Sequence, residues 1–151
     1  MKNIKSEAFQ DRWPEAAANC WGCGRNNEHG LKIKSYWEGD EAVCVWEPKD
    51  YHIAIPGFLN GGIIASIIDC HCLNAANAAY IKESGQKMED AASGYLTGML
   101  NVKYLRPTPV KQVTLRAKIV EKGEKKIKVL CDLYSDDQLC VTGGITAVRL
   151  I

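Results

Sequence analysis

The sequence predicts an α+β fold in which a curved antiparallel sheet of about six strands wraps around one long central helix. Residues 61–82 are apolar on nearly every helical face, which is typical of a helix enclosed by other structure. Four segments after residue 94 alternate apolar and polar residues with a period of two, which indicates an antiparallel meander. Two further strands are predicted before the helix. A sheet curled around the helix would bury both the helix and its own concave face.

The elements before the long helix form an N-terminal extension followed by a hairpin. The predicted elements are a short helix over 7–19, a loop over 20–30, strands over 31–37 and 42–46, and a loop over 51–59. Residues 1–30 are thus a helix-and-loop extension of one single domain, residues 1–151. Asn60 is a suitable N-cap for the long helix, because its side-chain oxygen can accept a backbone N–H of the first turn.

The first strand after the helix is predicted to end at Pro107. Its alternation predicts one face carrying Leu96, Leu100, Val102 and Tyr104 and another carrying Thr97, Met99, Asn101 and Lys103. Three more strands follow, separated by turns. Such a sheet leaves an edge strand unpaired, and pairing with a second copy across a two-fold axis would cover it. We therefore expect a homo-oligomer, either a dimer or a dimer of dimers.

Composition and charge exclude several classes of protein. The 151 residues carry a net charge of +1, which argues against a dedicated nucleic-acid or membrane-surface binder. The apolar stretch 62–81 is interrupted by Asp69 and other polar residues, so it is not expected to span a membrane. No signal peptide is recognised at the start, and the seven cysteines are expected to be free thiols. We therefore expect a cytoplasmic protein.

The start of the long helix is the strongest candidate for a chemical site. Gly61 and Gly62 allow a ligand to approach bare backbone, and the unpaired N–H groups of a first helical turn can hold a developing oxyanion. Asp69 lies about two turns further along. A carboxylate in so apolar a helix needs either a functional purpose or a structural partner, and the local pattern leaves both interpretations open.

Three motifs resemble those of hotdog-fold acyl-CoA thioesterases of the PaaI type. The run Cys20-Trp21-Gly22-Cys23-Gly24, with Asn27 and Gly30-Leu31, resembles the opening of that family. The Pro56-Gly57 loop, Gly61-Gly62 and Asp69 resemble its HGG-to-Asp helix motif. Residues 101–107 resemble its strand that ends in Arg-Pro. The motifs occur in the family's order, from about residue 20 to the C terminus.

The resemblance implies hydrolysis of an acyl-CoA at a dimer interface, with no cofactor besides the CoA of the substrate. It implies that Asp69 acts as base toward water or as nucleophile, and that the Gly61 N–H polarises the carbonyl. Thr97 occupies the place of an assisting Thr or Ser, on a strand from the neighbouring subunit. Asn60 replaces the family's usual His; it can form hydrogen bonds but cannot take a proton near neutral pH.

Four further residues are expected to contact the substrate. Arg106 is the candidate for the CoA phosphates, because its guanidinium can bind a phosphate through two N–H groups. The family motifs also contain the other three, which are Pro56, Gly62 and Asn101.

The cysteines are not expected to bind a metal. Cys20 and Cys23 form a CxxC followed by His29, which falls short of the four ligands of a structural zinc site, so loop packing is the favoured interpretation. In Cys70-His71-Cys72, adjacent helical residues diverge by about 100°, so no direct Cys–His pair is predicted. These three are expected to be core thiols and a hydrogen-bonded histidine.

Two other functions remain open at this point. One is a hotdog module that binds acyl-CoA without cleaving it, which the absence of the family's histidine at Asn60 favours. The other is a hydratase or dehydratase on the same fold, which usually needs an acid–base histidine. His52 and His71 are not clearly placed for that role, and fold alone does not choose among these activities.

Overall fold

The computed structural model of the protein describes residues 7–91 and 94–150. One long helix lies against a six-stranded antiparallel sheet, as the sequence predicts. The elements are α1 (Phe9–Arg12), β1 (Tyr36–Glu38), β2 (Glu41–Trp46), α2 (Gly61–Ser84), β3 (Tyr95–Tyr104), β4 (Val113–Lys122), β5 (Lys126–Ser135) and β6 (Gln138–Arg149), with short 3₁₀ helices at Glu15–Ala17 and Met88–Asp90.

The sheet order is β1-β2-β4-β5-β6-β3, so the strand that follows α2 lies at the edge opposite β1. The predicted strand over 31–37 is shorter than expected, because only Tyr36–Glu38 pairs with β2. Lys32 has a φ of 58°, which breaks an extended strand. The N–H groups of Leu31 and Ile33 instead bond to carbonyls of the N-terminal loop.

Helix α2 is buried on most of its circumference because two parts of the chain cover it. The sheet packs against one side with residues that are at most 2% exposed: Leu115, Val129, Leu133 and Ile145. The N-terminal extension contributes Phe9, Leu31 and Ile33 to the same core. Ala75, Ala76 and Ala78 keep the helix narrow where these layers approach. This enclosure explains the absence of a polar helical face.

A buried polar network joins the extension to the middle of the helix. His71 is fully buried; its Nε2 donates to the Ala42 carbonyl at 2.9 Å and its Nδ1 accepts from the Ser35 hydroxyl at 2.8 Å. Gln10 donates from Nε2 to that hydroxyl at 2.9 Å and accepts the Ser35 N–H at 2.8 Å. Burial lowers the pKa of His71 to about 4, so the imidazole is neutral and structural.

Strand β3 contains a β-bulge at Gly98. Thr97 pairs with Ala147, whereas Met99 pairs with the preceding residue of β6, so Gly98 is an extra residue in the ladder. A Cβ at Gly98 would lie 2.9 Å from a methyl group of Val148, so a side chain here would force that neighbour to move. The extra residue reverses the alternation of side chains along the strand.

Because of the bulge, the faces predicted for the side chains of β3 are wrong. Residues directly opposite in a ladder share a face, and both Ala147, opposite Thr97, and Ile145, opposite Leu100, belong to the core beneath α2. Thr97 and Leu100 therefore both face the helix, although the period of two placed them on opposite faces. Asn101 lies on the outer face.

The long helix is not a membrane helix. Among residues 7–91 and 94–150, no helix combines the length and the apolar character needed to cross a bilayer.

Candidate active site

Asn60 caps helix α2 and leaves one backbone donor free. The side-chain oxygen of Asn60 accepts the N–H groups of Gly62 at 2.8 Å and Ile63 at 3.1 Å. The Ile64 N–H bonds to the Asn60 carbonyl. The Gly61 N–H has no acceptor within the described part of the chain. The free donor at the positive end of this 24-residue helix is therefore Gly61, and Gly62 is not free to bind a ligand through its N–H.

Tyr104, which no sequence motif indicates as a site residue, holds Gly61 in place. Its hydroxyl donates to the Gly61 carbonyl at 2.6 Å, and a Cβ at Gly61 would lie 3.4 Å from the hydroxyl oxygen. Partial burial raises the pKa of Tyr104, which keeps the phenol protonated as a donor. The contact joins the end of β3 to the start of α2, and no local sequence pattern could have indicated it.

Asp69 and Thr97 form a pair at the middle of the helix. The Thr97 hydroxyl donates to Oδ1 of Asp69 at 2.6 Å, and both residues are half-buried. The expectation that Thr97 would come from a neighbouring subunit is wrong for this contact, since both residues belong to one chain. The reason is that β3 returns along α2 after a short connection, with Thr97 on the same face of the strand as the buried Tyr95.

Gly61 and Asp69 of one chain cannot act on the same carbonyl group. They are eight residues apart on α2, which corresponds to about 12 Å along the helix axis. An oxyanion donor and a base acting through one water each have to lie within about 3 Å of their own target atom. Within one chain the free donor and the carboxylate are therefore too far apart for one site, and the surroundings of each form a candidate half-site.

The loop before α2 brings the end of β3 to the Gly61 half-site. Gly57, with a φ of 92°, makes the turn after Pro56, and its carbonyl accepts the Val110 N–H at 3.1 Å. The Leu59 N–H donates to the Thr108 carbonyl at 2.8 Å. Arg106 lies two residues before Thr108 and is exposed, with one guanidinium nitrogen 3.3 Å from the Gln138 side chain. Pro56 and Arg106 therefore flank the end of the molecule where α2 begins.

Asn101 lies outside this arrangement. It is exposed on the outer face of the sheet, and its amide donates to the sulfur of Met99 at 3.5 Å. The bulge accounts for this position. It moves Asn101, which regular alternation would place on the same face as Thr97, to the outer face of the strand. Within one chain, Asn101 contacts neither Asp69 nor Gly61.

Apolar side chains of the loop before α2 and of β3 are exposed. Ile55 is 67% exposed, and Ile53, Phe58 and Leu100 also exceed a third. Clusters of this kind mark surfaces that bind apolar ligands or other protein surfaces.

The CxxC of the N-terminal loop meets a third thiol on α2. The sulfur atoms of Cys20, Cys23 and Cys70 all lie within 4.8 Å of one another. The expectation that Cys70 is a plain core thiol is therefore wrong, because it is half-buried and points at the loop. S–H groups of Cys23 and Cys70 directed at the sulfur lower the pKa of the Cys20 thiol.

Comparisons with known proteins agree with this fold. A family model described as the thioesterase superfamily matches residues 56–142. The chain is 32% identical over 107 residues to acyl-coenzyme A thioesterase THEM4 of Xenopus laevis. That match includes 70% of this chain but 43% of the relative, so the chain spans less than half the length of this curated relative.

Two solved structures are similar to most of the chain. A thioesterase superfamily protein from Shewanella loihica is 37% identical, with a TM-score of 0.65, and the match covers 82% of this chain and 96% of that one. A phenylacetic acid degradation-related protein from Ralstonia eutropha is 18% identical, with a TM-score of 0.62, covering 78% of this chain and 85% of that one. The second likeness supports the fold alone.

Proposed function

Because the chain belongs to the thioesterase superfamily and has its hotdog fold, we propose that it hydrolyses the thioester bond of an acyl-CoA. The observation that carries the proposal is the carboxylate of Asp69, held at 2.6 Å by the Thr97 hydroxyl on a helix that is mostly buried. A carboxylate kept half-buried beside one hydroxyl retains lone pairs for a water molecule. The 32% identity to an acyl-CoA thioesterase supports CoA as the thiol.

In the proposed reaction Asp69 is the general base. A water molecule on the free carboxylate oxygen gives its proton to Asp69 while its oxygen attacks the thioester carbonyl carbon. The tetrahedral intermediate collapses with cleavage of the C–S bond, and the thiolate of CoA takes the proton back from Asp69. Thr97 orients the carboxylate throughout. The products are the free acid and CoA, and the reaction needs no cofactor because thiolate is a good leaving group.

The Gly61 N–H is the proposed oxyanion donor. It is the free donor at the positive end of α2, and a donor in such a position stabilises the negative charge that develops on the carbonyl oxygen. The contact from Tyr104 fixes the adjacent peptide, so little reorganisation is needed when the charge forms.

The separation of about 12 Å between Gly61 and Asp69 on one helix supports an active site shared by two copies of the chain. In the described sheet β3 pairs with β6 on one side only, so its ten residues offer an open edge. If two β3 strands paired about their midpoint, Tyr104 of the second copy would lie about two residues, roughly 7 Å, from Thr97. Its Gly61 would then approach Asp69.

The substrate contacts follow from this arrangement. Ile53, Ile55 and Phe58 supply apolar surface beside Gly61 for an acyl group. Arg106, exposed at the same end of the molecule, is the proposed ligand for the CoA phosphates. Pairing across β3 would cover the exposed Leu100 as well, so we propose a homodimer, or a dimer of dimers, as the working form.

The role of Asn60 is testable separately from that of Gly61. Because its side-chain oxygen caps Gly62 and Ile63, we expect Asn60→Ala to lower the free energy of unfolding by about 0.5–2 kcal/mol. CoA release per folded molecule should stay near the parent value. Asn60→Asp, which keeps the cap acceptor, is the matched control and should retain stability. Turnover lost at unchanged stability would instead assign Asn60 to the substrate, as its place in the family motif implies.

Complementation tests the shared site directly. Asp69→Asn removes the base and Gly61→Pro removes the oxyanion donor, so each homo-oligomer should be inactive. A heterodimer isolated through two different affinity tags has one site with both groups intact and one with neither, so it should recover about half the parent activity. Two differently tagged Asp69→Asn chains are the control and should recover nothing.

An assay of the parent protein also separates hydrolysis of acyl-CoA from binding without cleavage. If the parent released no CoA from acyl-CoAs of graded chain length yet bound them, the chain would be a binding module. If the parent were active but the mixed heterodimer stayed inactive, the reaction would be confined to one chain and the shared site would be wrong.

A further inference from the structure

We propose that Cys20, Cys23 and Cys70 bind a zinc ion through three thiolates and so fasten the N-terminal loop to helix α2. The inference concerns a side of the helix that the hydrolytic site does not use. Adjacent residues on a helix diverge by about 100°, so Cys70 points to the loop while Asp69 points to Thr97 on β3.

The spacing of the sulfur atoms fits such an ion. Tetrahedral zinc with Zn–S bonds of about 2.3 Å places its sulfur ligands about 3.8 Å apart. The sulfur atoms of Cys20 and Cys70 are 3.9 Å apart, and all three lie within 4.8 Å of one another. The three sulfur atoms are therefore already close to the spacing that a shared zinc ion requires.

The loop is shaped to bring its two thiols onto the helix. The Gly24 N–H donates to the Cys20 carbonyl at 2.7 Å, which closes a tight turn around the CxxC. A Cβ at Gly22 would lie 2.3 Å from the sulfur of Cys70, and one at Gly24 would lie 2.4 Å from a backbone nitrogen. Gly22 requires glycine because the loop backbone passes directly over the third thiol, and Gly24 requires it because the loop folds back onto its own backbone.

Asn74, one helical turn after Cys70, supports the sulfur ligands. Its amide nitrogen donates to the Cys23 sulfur at 3.4 Å and to the Cys70 carbonyl at 2.7 Å. The indole N–H of Trp13 donates to its oxygen at 2.7 Å, which fixes the orientation of the amide. The N–H group is thus aimed at sulfur from a buried side chain, as outer-sphere donors to metal-bound thiolates are.

The fourth coordination position is proposed to hold water. Cys20 is exposed, so solvent reaches the cluster from the loop side. Binding releases the thiol protons and converts three neighbouring thiols into ligands of one ion, which links residues fifty positions apart in the chain.

Metal content of the intact protein tests the proposal. Protein purified without chelators in a non-thiol reductant should contain about one zinc per chain by elemental analysis. Cobalt(II) in place of zinc should give thiolate-to-metal charge-transfer absorption. Cys20→Ser should weaken zinc binding by at least about 10²-fold, since even the loss of an outer-sphere partner costs 10–100-fold. Cys140→Ser, which alters a buried cysteine outside the cluster, should bind like the parent.

Chelation provides a readout that does not depend on variants. Removing zinc from the unmodified protein should lower the midpoint of thermal unfolding by about 5–10 °C. The proposal is wrong if the reduced protein takes up neither zinc nor cobalt at micromolar concentrations. It is equally wrong if protein isolated under anaerobic conditions carries a Cys20–Cys23 disulfide in place of metal.

Discussion

Asp69→Asn is expected to lower the rate of CoA release from the best acyl-CoA substrate by at least about 10²-fold, while the protein stays folded. The substitution removes the proposed base but keeps an oxygen that can accept the Thr97 hydroxyl, so the 2.6 Å contact survives. Steady-state kinetics with thiol detection measures the loss, and thermal unfolding on the same preparation checks the fold.

Asp137→Asn is the matched control for this change. It makes the same chemical substitution in the turn between β5 and β6, at a φ of 64° that asparagine tolerates well. Its rate should equal that of the parent. An Asp69→Asn protein that released CoA at the parent rate would remove the carboxylate from the mechanism and leave a structural role for it.

Gly61→Pro is expected to lower kcat by about 10²–10³-fold, because proline has no N–H to donate to the oxyanion. The helix should tolerate the change, since proline is favoured at the first helical position. Asn60, which precedes it, already has a ψ of 132°, within the extended range that a residue before proline needs. Stability should therefore change far less than the rate.

Gly61→Ala separates the loss of the N–H from the added bulk. Its Cβ would lie 3.4 Å from the hydroxyl oxygen of Tyr104, so a small displacement of that ring accommodates it. The alanine variant keeps the donor and should retain most of the activity. If the alanine and proline variants lost activity equally, crowding against Tyr104 would explain the loss and Gly61 would not be the oxyanion donor.

The fold was predictable because it follows from patterns within single elements. A helix apolar all round over 61–82 has to be enclosed, and alternating strands joined by short turns have to form an antiparallel sheet. The N-cap at Asn60 and the carboxylate at Asp69 could be predicted from the sequence for the same reason. Each depends on residues a few positions away.

The features that were missed depend on contacts between distant residues. The bulge at Gly98 changes which side chains face the helix, and a period of two has no means of indicating an extra residue. The pairing of Thr97 with Asp69 in one chain follows from the return of β3 along α2, with Thr97 on the same face as the buried Tyr95. Cys70 joins the CxxC only because the loop folds over the helix, so a count of cysteines in the loop found two ligands where three thiols meet.

The buried network around His71 extends beyond the stretch that matches the family model. That stretch, residues 56–142, contains His71 but neither Ser35 nor Ala42, which bond to its two ring nitrogens. Truncation to the recognised stretch would orphan both nitrogens inside the core, at a cost of about 1–3 kcal/mol each. Because Gln10 of the N-terminal extension bonds to Ser35 in this network, we propose that the extension belongs to the same domain and limits which substitutions the helix interior can accept.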